Sequence, residues 1–83
     1  MENIFFVEIV TPEKVVFQGD VTLVSVPGEG GSFSILKDHA PIVASLKQGT
    51  IRLEGKFVSD FEYACNSGVI ECIKNHVTIL IES

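Results

Sequence analysis

Alternation with a period of two runs through most of this 83-residue sequence and predicts an all-β fold. Two further observations point the same way. Turn-forming clusters rich in Gly, Asn and Asp punctuate the apolar runs at short intervals. No stretch of eleven or more residues keeps a 3.6-residue period free of glycine, proline or a β-branched run. The expected architecture is a flattened antiparallel β-sandwich or barrel with no substantial helix.

Taken in chain order, Phe5, Val7 and Ile9 alternate with Phe6, Glu8 and Val10, which reads as a strand with one face in the core. Gln18-Gly19-Asp20 reads as a break. Pro27-Gly28 stops the next apolar run, because proline lacks an N–H and glycine tolerates positive φ. The segment from Pro27 to Gly49 is too rich in Gly and Pro for a regular element and reads as a loop. Within it Phe33-Ser34-Ile35-Leu36 returns to the core and Lys37-Asp38-His39 turns outward. Ala40 to Leu46 is the nearest approach to a helical pattern, at only about two turns and beginning at a proline.

Beyond Gly49, Ile51 and Leu53 share one phase, as do Phe57, Ser59, Phe61 and Tyr63, with Glu54-Gly55-Lys56 as the hairpin turn between them. Asn66-Ser67-Gly68 and Lys74-Asn75 read as further turns, and Val77, Ile79 and Ile81 form the inward phase of the last strand. Phe6, Val10, Val58 and Leu80 fall on the outward phase, where water favours polar side chains. Either a partner or a second stacked sheet would cover them. No repeat or linker divides the chain, so residues 1–83 are expected to form a single domain.

Composition narrows the function. The net charge is −5 and the six basic residues are scattered, which excludes a nucleic-acid site built on a clustered positive field. The same balance argues against direct binding to anionic lipid. No apolar run reaches the length of roughly 18 residues that a membrane helix needs, and no signal segment opens the chain. A soluble protein that stays where it is made is the expectation, with Cys65 and Cys72 as free thiols in or near the core. At 46% hydrophobic residues, so small a domain is expected to leave apolar surface for a partner.

The chain offers little for catalysis. Asp38 beside His39 has the residue types of a base pair, but adjacent loop residues rarely aim at one another, and no nucleophile is placed nearby. Gly28, Gly30 and Gly31 lack the Lys-Ser/Thr ending and following helix of a phosphate loop. Cys65, Cys72 and His76 have no zinc-ligand spacing. Lys56 sits at a hairpin without the neighbours of a swinging-arm carrier site. No catalytic residue, metal ligand or cofactor is assigned.

The ordered positions Pro27-Gly28, Gly31, Phe33, Ile35-Leu36, His39-Ala40-Pro41, Leu46 and Gly49 resemble the loop pattern of the ε subunit of F-type ATP synthases. Ile9-Val10-Thr11-Pro12-Glu13, Val16-Phe17 and Gly19 resemble that family's opening strands. The resemblance covers Ile4 to Ile81. Ser34 departs from the family's usual glycine, and Asn66-Ser67-Gly68-Val69 departs from its Gly-Gly-Phe-Val turn.

The resemblance implies a non-catalytic rotor subunit of the central stalk, joining the γ subunit to the c-subunit ring of a proton- or sodium-translocating enzyme. It implies a peripheral protein on the cytoplasmic face of the bacterial inner membrane, held there through its partners. Glu29, Gly30, Gly31 and Ser32 would face the c ring, and His39, Ala40, Pro41 and Ile42 would face γ. Family members commonly continue into a two-helix hairpin. Here Glu82-Ser83 follow the last strand, so that hairpin, with any ATP site on it, is expected to be missing. A generic β-sandwich binding module with an unrelated partner, and a small enzyme using His39, remain the alternative classes.

Overall fold

Side-chain alternation becomes alternating burial in a computed structural model that describes residues 3–82. In β1 (Phe5–Val10), Phe5, Val7 and Ile9 are buried, and Phe6, Glu8 and Val10 lie half-buried on the opposite side. The chain continues as β2 (Val15–Val21), β3 (Leu23–Gly28), β4 (Gly31–Ile35), β5 (Ile42–Leu46) and β6 (Gly49–Gly55). It ends in β7 (Val58–Cys65), β8 (Ser67–Ile73) and β9 (His76–Glu82), with no helix among the described residues.

The strands run β2-β1-β9-β8-β5-β3-β6-β7 in space, and β4 pairs with the free side of β3. The order folds into two layers: one sheet holds β2, β1, β9, β8 and β5, and the other holds β4, β3, β6 and β7. Gly28 of β3 opposite Leu46 of β5 joins them. At the other edge the Phe17 and Phe61 rings meet edge-on at 5.3 Å, bringing β2 against β7 and nearly closing the barrel. Between the layers the core consists of aliphatic side chains with Phe5, Cys65 and Cys72, and no polar residue is buried among the described residues.

All pairings are antiparallel except one: β1 lies parallel to β9, with Val7 opposite Val77 and Ile9 opposite Ile79. Local sequence cannot announce this pairing, because almost the whole chain separates the two strands.

Several local expectations are corrected. Gln18-Gly19-Asp20 is no break; these residues continue β2 and pair with Glu8, Val7 and Phe6. The Pro27–Gly49 segment contains two strands, β4 and β5, and its glycines close a tight hairpin with Gly28 opposite Gly31. Ser34 lies in regular β4 opposite Ser25, without a local bend of its own. Leu36 is exposed and does not return to the core with Ile35.

Phe57 is 88% exposed at the β6–β7 turn, whereas Val58 packs on the core. The cause is an extra residue in β7 between Phe61 and Val58, with Asp60 at φ 57°; this bulge reverses the side-chain phase toward the strand's start. The β8–β9 hairpin turns as expected at Lys74-Asn75, both at positive φ, as its two-residue turn requires. At Gly68 a side chain would lie 2.5 Å from the Leu80 carbonyl oxygen, so only glycine permits this close approach of β8 to β9.

Candidate functional site

The first group of expected contact residues forms the tip of the β3–β4 hairpin. Glu29 and Gly30 make the turn, and Gly31 and Ser32 open β4; all four are exposed. The Glu29 N–H donates to the Ser45 carbonyl at 2.9 Å, and the Lys47 N–H donates to the Pro27 carbonyl at 2.9 Å. These bonds tie the hairpin to the end of β5. Gly31 sits at φ 133°, a conformation L side chains rarely adopt. Gly30 has nothing within 4 Å of where a side chain would begin, so the tip stands open.

The second group lies between β4 and β5. Its turn is ordered from outside: the Asp38 N–H donates to Asn75 Oδ1 at 2.6 Å, and Asn75 Nδ2 donates to Asp38 Oδ1 at 3.0 Å. This reciprocal clamp fastens the loop to the β8–β9 turn and holds Asp38 at φ 65°. The His39 N–H donates to the Leu36 carbonyl at 3.2 Å, and its ring nitrogen Nδ1 lies 2.7 Å from the Ala40 carbonyl oxygen. His39 is thereby engaged with its own loop, and its neighbour Asp38 bonds Asn75. Ala40 and Pro41 are exposed, whereas Ile42 is half-buried and packs on the core.

The two groups are not brought together. Ile42 opens β5 opposite Cys72, and Leu46 closes it opposite Gly68, beside the hairpin tip. They thus occupy opposite ends of a five-residue strand, roughly 13 Å apart along its axis.

Neither cysteine is solvent-facing. Cys65 and Cys72 are free and buried, and burial pushes both thiols above their ordinary titration range; in Cys65 a backbone hydrogen bond from Gly49 partly opposes this. Among the described residues no helix is long and apolar enough to cross a membrane.

Outward apolar residues extend beyond those singled out in the sequence. Val15, Val43, Val69 and Ile73 join Leu80 in exposure on the sheet that contains β9. They are spread over β2, β5, β8 and β9, with Val69 and Ile73 both on β8, and only cross-strand register reveals which of them are neighbours.

The described residues thus form a small β-sandwich that presents two exposed loops at opposite ends of β5. Residues 4–83 match the ATP synthase delta/epsilon chain β-sandwich domain, and the chain belongs to this family. It is 40% identical over 81 residues to the ATP synthase epsilon chain of Chlorobium limicola, covering 98% of this chain and 92% of that one. It is 41% identical over 78 residues to the epsilon chain of Desulforamulus reducens, covering 92% of this chain but 57% of that one. The chain therefore spans nearly the full length of one relative and little more than half of the other.

Among solved structures, a chain in the Euglena gracilis mitochondrial ATP synthase (OSCP/F1/c-ring) superposes with a TM-score of 0.88 at 16% identity. The match covers 98% of this chain and 52% of that one. A chain in the Tetrahymena thermophila mitochondrial ATP synthase (central stalk/c-ring) gives a TM-score of 0.78, also at 16% identity, over 94% and 63%. At that identity the likeness concerns the fold.

Proposed function

We propose that this chain is a structural, non-catalytic subunit of the rotor of an F-type ATP synthase, linking the γ subunit to the c-subunit ring. Membership of the epsilon family over residues 4–83 carries the reading. The c ring would meet Glu29, Gly30, Gly31 and Ser32, and γ would meet His39, Ala40, Pro41 and Ile42. Their placement at opposite ends of β5 suits a spacer that bridges two partners. The complex would hold the protein at the cytoplasmic face of the bacterial inner membrane through its partners. The chain then transmits torque through a stiff sandwich while the chemistry resides in other subunits.

The structure dictates which substitutions test this cleanly. Gly31→Trp is strained by its positive φ, and Ile42→Asp places a charge against the core, so both would disturb the fold itself. Gly30→Trp and Ala40→Trp sit on open surface. In reconstitution with purified γ and c ring, Gly30→Trp is expected to lose ring attachment and keep γ binding. Ala40→Trp is expected to do the reverse. Normal attachment to both partners by both variants would overturn the assignment.

A further inference from the structure

A sheet ends in strands whose outer backbone groups lack a partner, and proteins blunt such edges with charge, bulges or a covering element. At one side of this sandwich β2 and β7 meet that demand. β2 carries Asp20, β7 carries Glu62 and a bulge with Asp60, and the Phe17 and Phe61 rings close the gap between them. At the other side β4 does not meet it. β4 pairs with β3 alone, and its residues Gly31-Ser32-Phe33-Ser34-Ile35 hold no charge, no proline and no register shift. A groove lined by Phe33 and Ala44 keeps β5 apart from this edge.

Hydrogen bonds on the far side of β3 decide which groups of β4 face outward. The Pro27 carbonyl and the Glu29 N–H point toward β5, where they bond Lys47 and Ser45. By alternation Gly28, Val26 and Val24 point toward β4, where Gly31, Phe33 and Ile35 lie opposite them. Ser32 and Ser34 fall between those pairs, so their N–H and C=O groups point away from β3, and both residues are exposed. The edge therefore offers a short, uncharged row of donors and acceptors to another strand.

We infer that β4 pairs with β4 of a second copy of this chain, antiparallel about a two-fold axis at Phe33. Ser32 of each copy then meets Ser34 of the other, and each outward N–H donates to a C=O across the axis. Phe33 faces Phe33, and Ile35 faces Gly31, which brings no side chain against it. Beyond the strand ends the same register sets exposed Leu36 over Gly30 and brings Lys37 level with Glu29 at both ends of the pair. Charge complementarity at both ends thus selects a second copy as the occupant. The pairing covers Gly31 and Ser32, so a paired copy cannot present them to a c ring. That consequence rests on the reading of the hairpin tip given above; the pairing itself does not.

Sedimentation equilibrium of the full chain alone, from about 10 μM to about 1 mM, covers the range in which so small an interface associates. A monomer–dimer equilibrium is expected, with amide exchange at Ser32 and Ser34 slowing as concentration rises. Ser34→Pro removes an outward N–H while sparing the β3–β4 bonds, and is expected to weaken dimerisation about tenfold. Glu29→Lys and Lys37→Glu are each expected to weaken it about fivefold, because like charges then meet at both ends. An equimolar mixture of these two variants is expected to regain the parent's affinity, since each then meets its opposite charge. Leu80→Lys on the other sheet is expected to dimerise like the parent, and circular dichroism confirms that each variant is folded. A chain that stays monomeric across the range would sink the proposal. So would dimerisation untouched by folded Ser34→Pro, or a mixture that associates no better than its components. Neither γ nor the c ring is present, so the outcome is independent of the rotor assignment.

Discussion

Along β9 the outward positions are His76, Thr78, Leu80 and Glu82; along β6 they are Thr50, Arg52 and Glu54. The inward positions of the same strands are alike: Val77, Ile79 and Ile81 on one, Ile51 and Leu53 on the other, all essentially inaccessible. The sheet of β4, β3, β6 and β7 shows water Ser32, Ser34, Thr50, Arg52 and Glu62, with Arg52 and Glu62 paired at 3.4 Å. The other sheet shows water an aliphatic line. Folding requires only the inward positions, so the contrast between the outer faces reflects a demand other than folding.

Truncating the shared interior sharpens that separation most. Ile79→Ala beneath the apolar face and Leu53→Ala beneath the polar face are each expected to cost about 3 kcal/mol in urea unfolding. A large inequality would mean that the two faces differ in their interiors as well. Asn75→Ala is expected to cost about 1 kcal/mol, because it removes both hydrogen bonds to Asp38. Urea unfolding reads that loss directly, and an unchanged midpoint would show that the clamp contributes nothing.

On the outer faces the comparison should appear in solvation and hardly in stability. Leu80→Ser and Arg52→Ala are each expected to stay within about 0.5 kcal/mol of the parent. Bis-ANS fluorescence is expected to drop by about half for Leu80→Ser and to be unchanged for Arg52→Ala, since only the first removes exposed apolar surface. Equal dye response from the two variants would break the contrast.

The smallest effect concerns the thiols, one under each face. Burial raises the folded-state titration of Cys65 and Cys72 above that of the unfolded chain. Their contribution to stability is therefore full below the unfolded thiol range near about pH 8.5, and is lost as pH rises through the folded values. Cys65→Ala and Cys72→Val are each expected to flatten the alkaline decline in stability, measured by urea unfolding between neutral pH and pH 10. An unaltered slope in both would remove the thiols as its cause.

Much of the fold was legible where signals are local. Lys74-Asn75 marks its hairpin because two consecutive positive φ values suit few residue pairs, and Val77, Ile79 and Ile81 fix the inward phase of β9. Legibility failed where a distant partner overrides the local signal. Gly19 is a strand residue because Val7 lies opposite it, and Phe57 is outside because one extra residue in β7 reverses the phase. Of the candidate site, the hairpin tip could be read from Glu29, Gly30 and Gly31. The apolar line could not, since Val15, Val69 and Leu80 become neighbours only through pairing registers that span the chain.

The parallel pairing of β1 with β9 gives the domain a directional mechanical property. Opposing pulls at Asn3 and Glu82 draw the two strands lengthwise past each other, so the rungs between Phe6 and His76 and between Val10 and Leu80 carry the load together. A hairpin pulled at its open end would instead surrender its bonds one at a time. Under tension along β1 and β9 the sandwich should behave as a brittle shear joint, holding to a threshold and then yielding in one event.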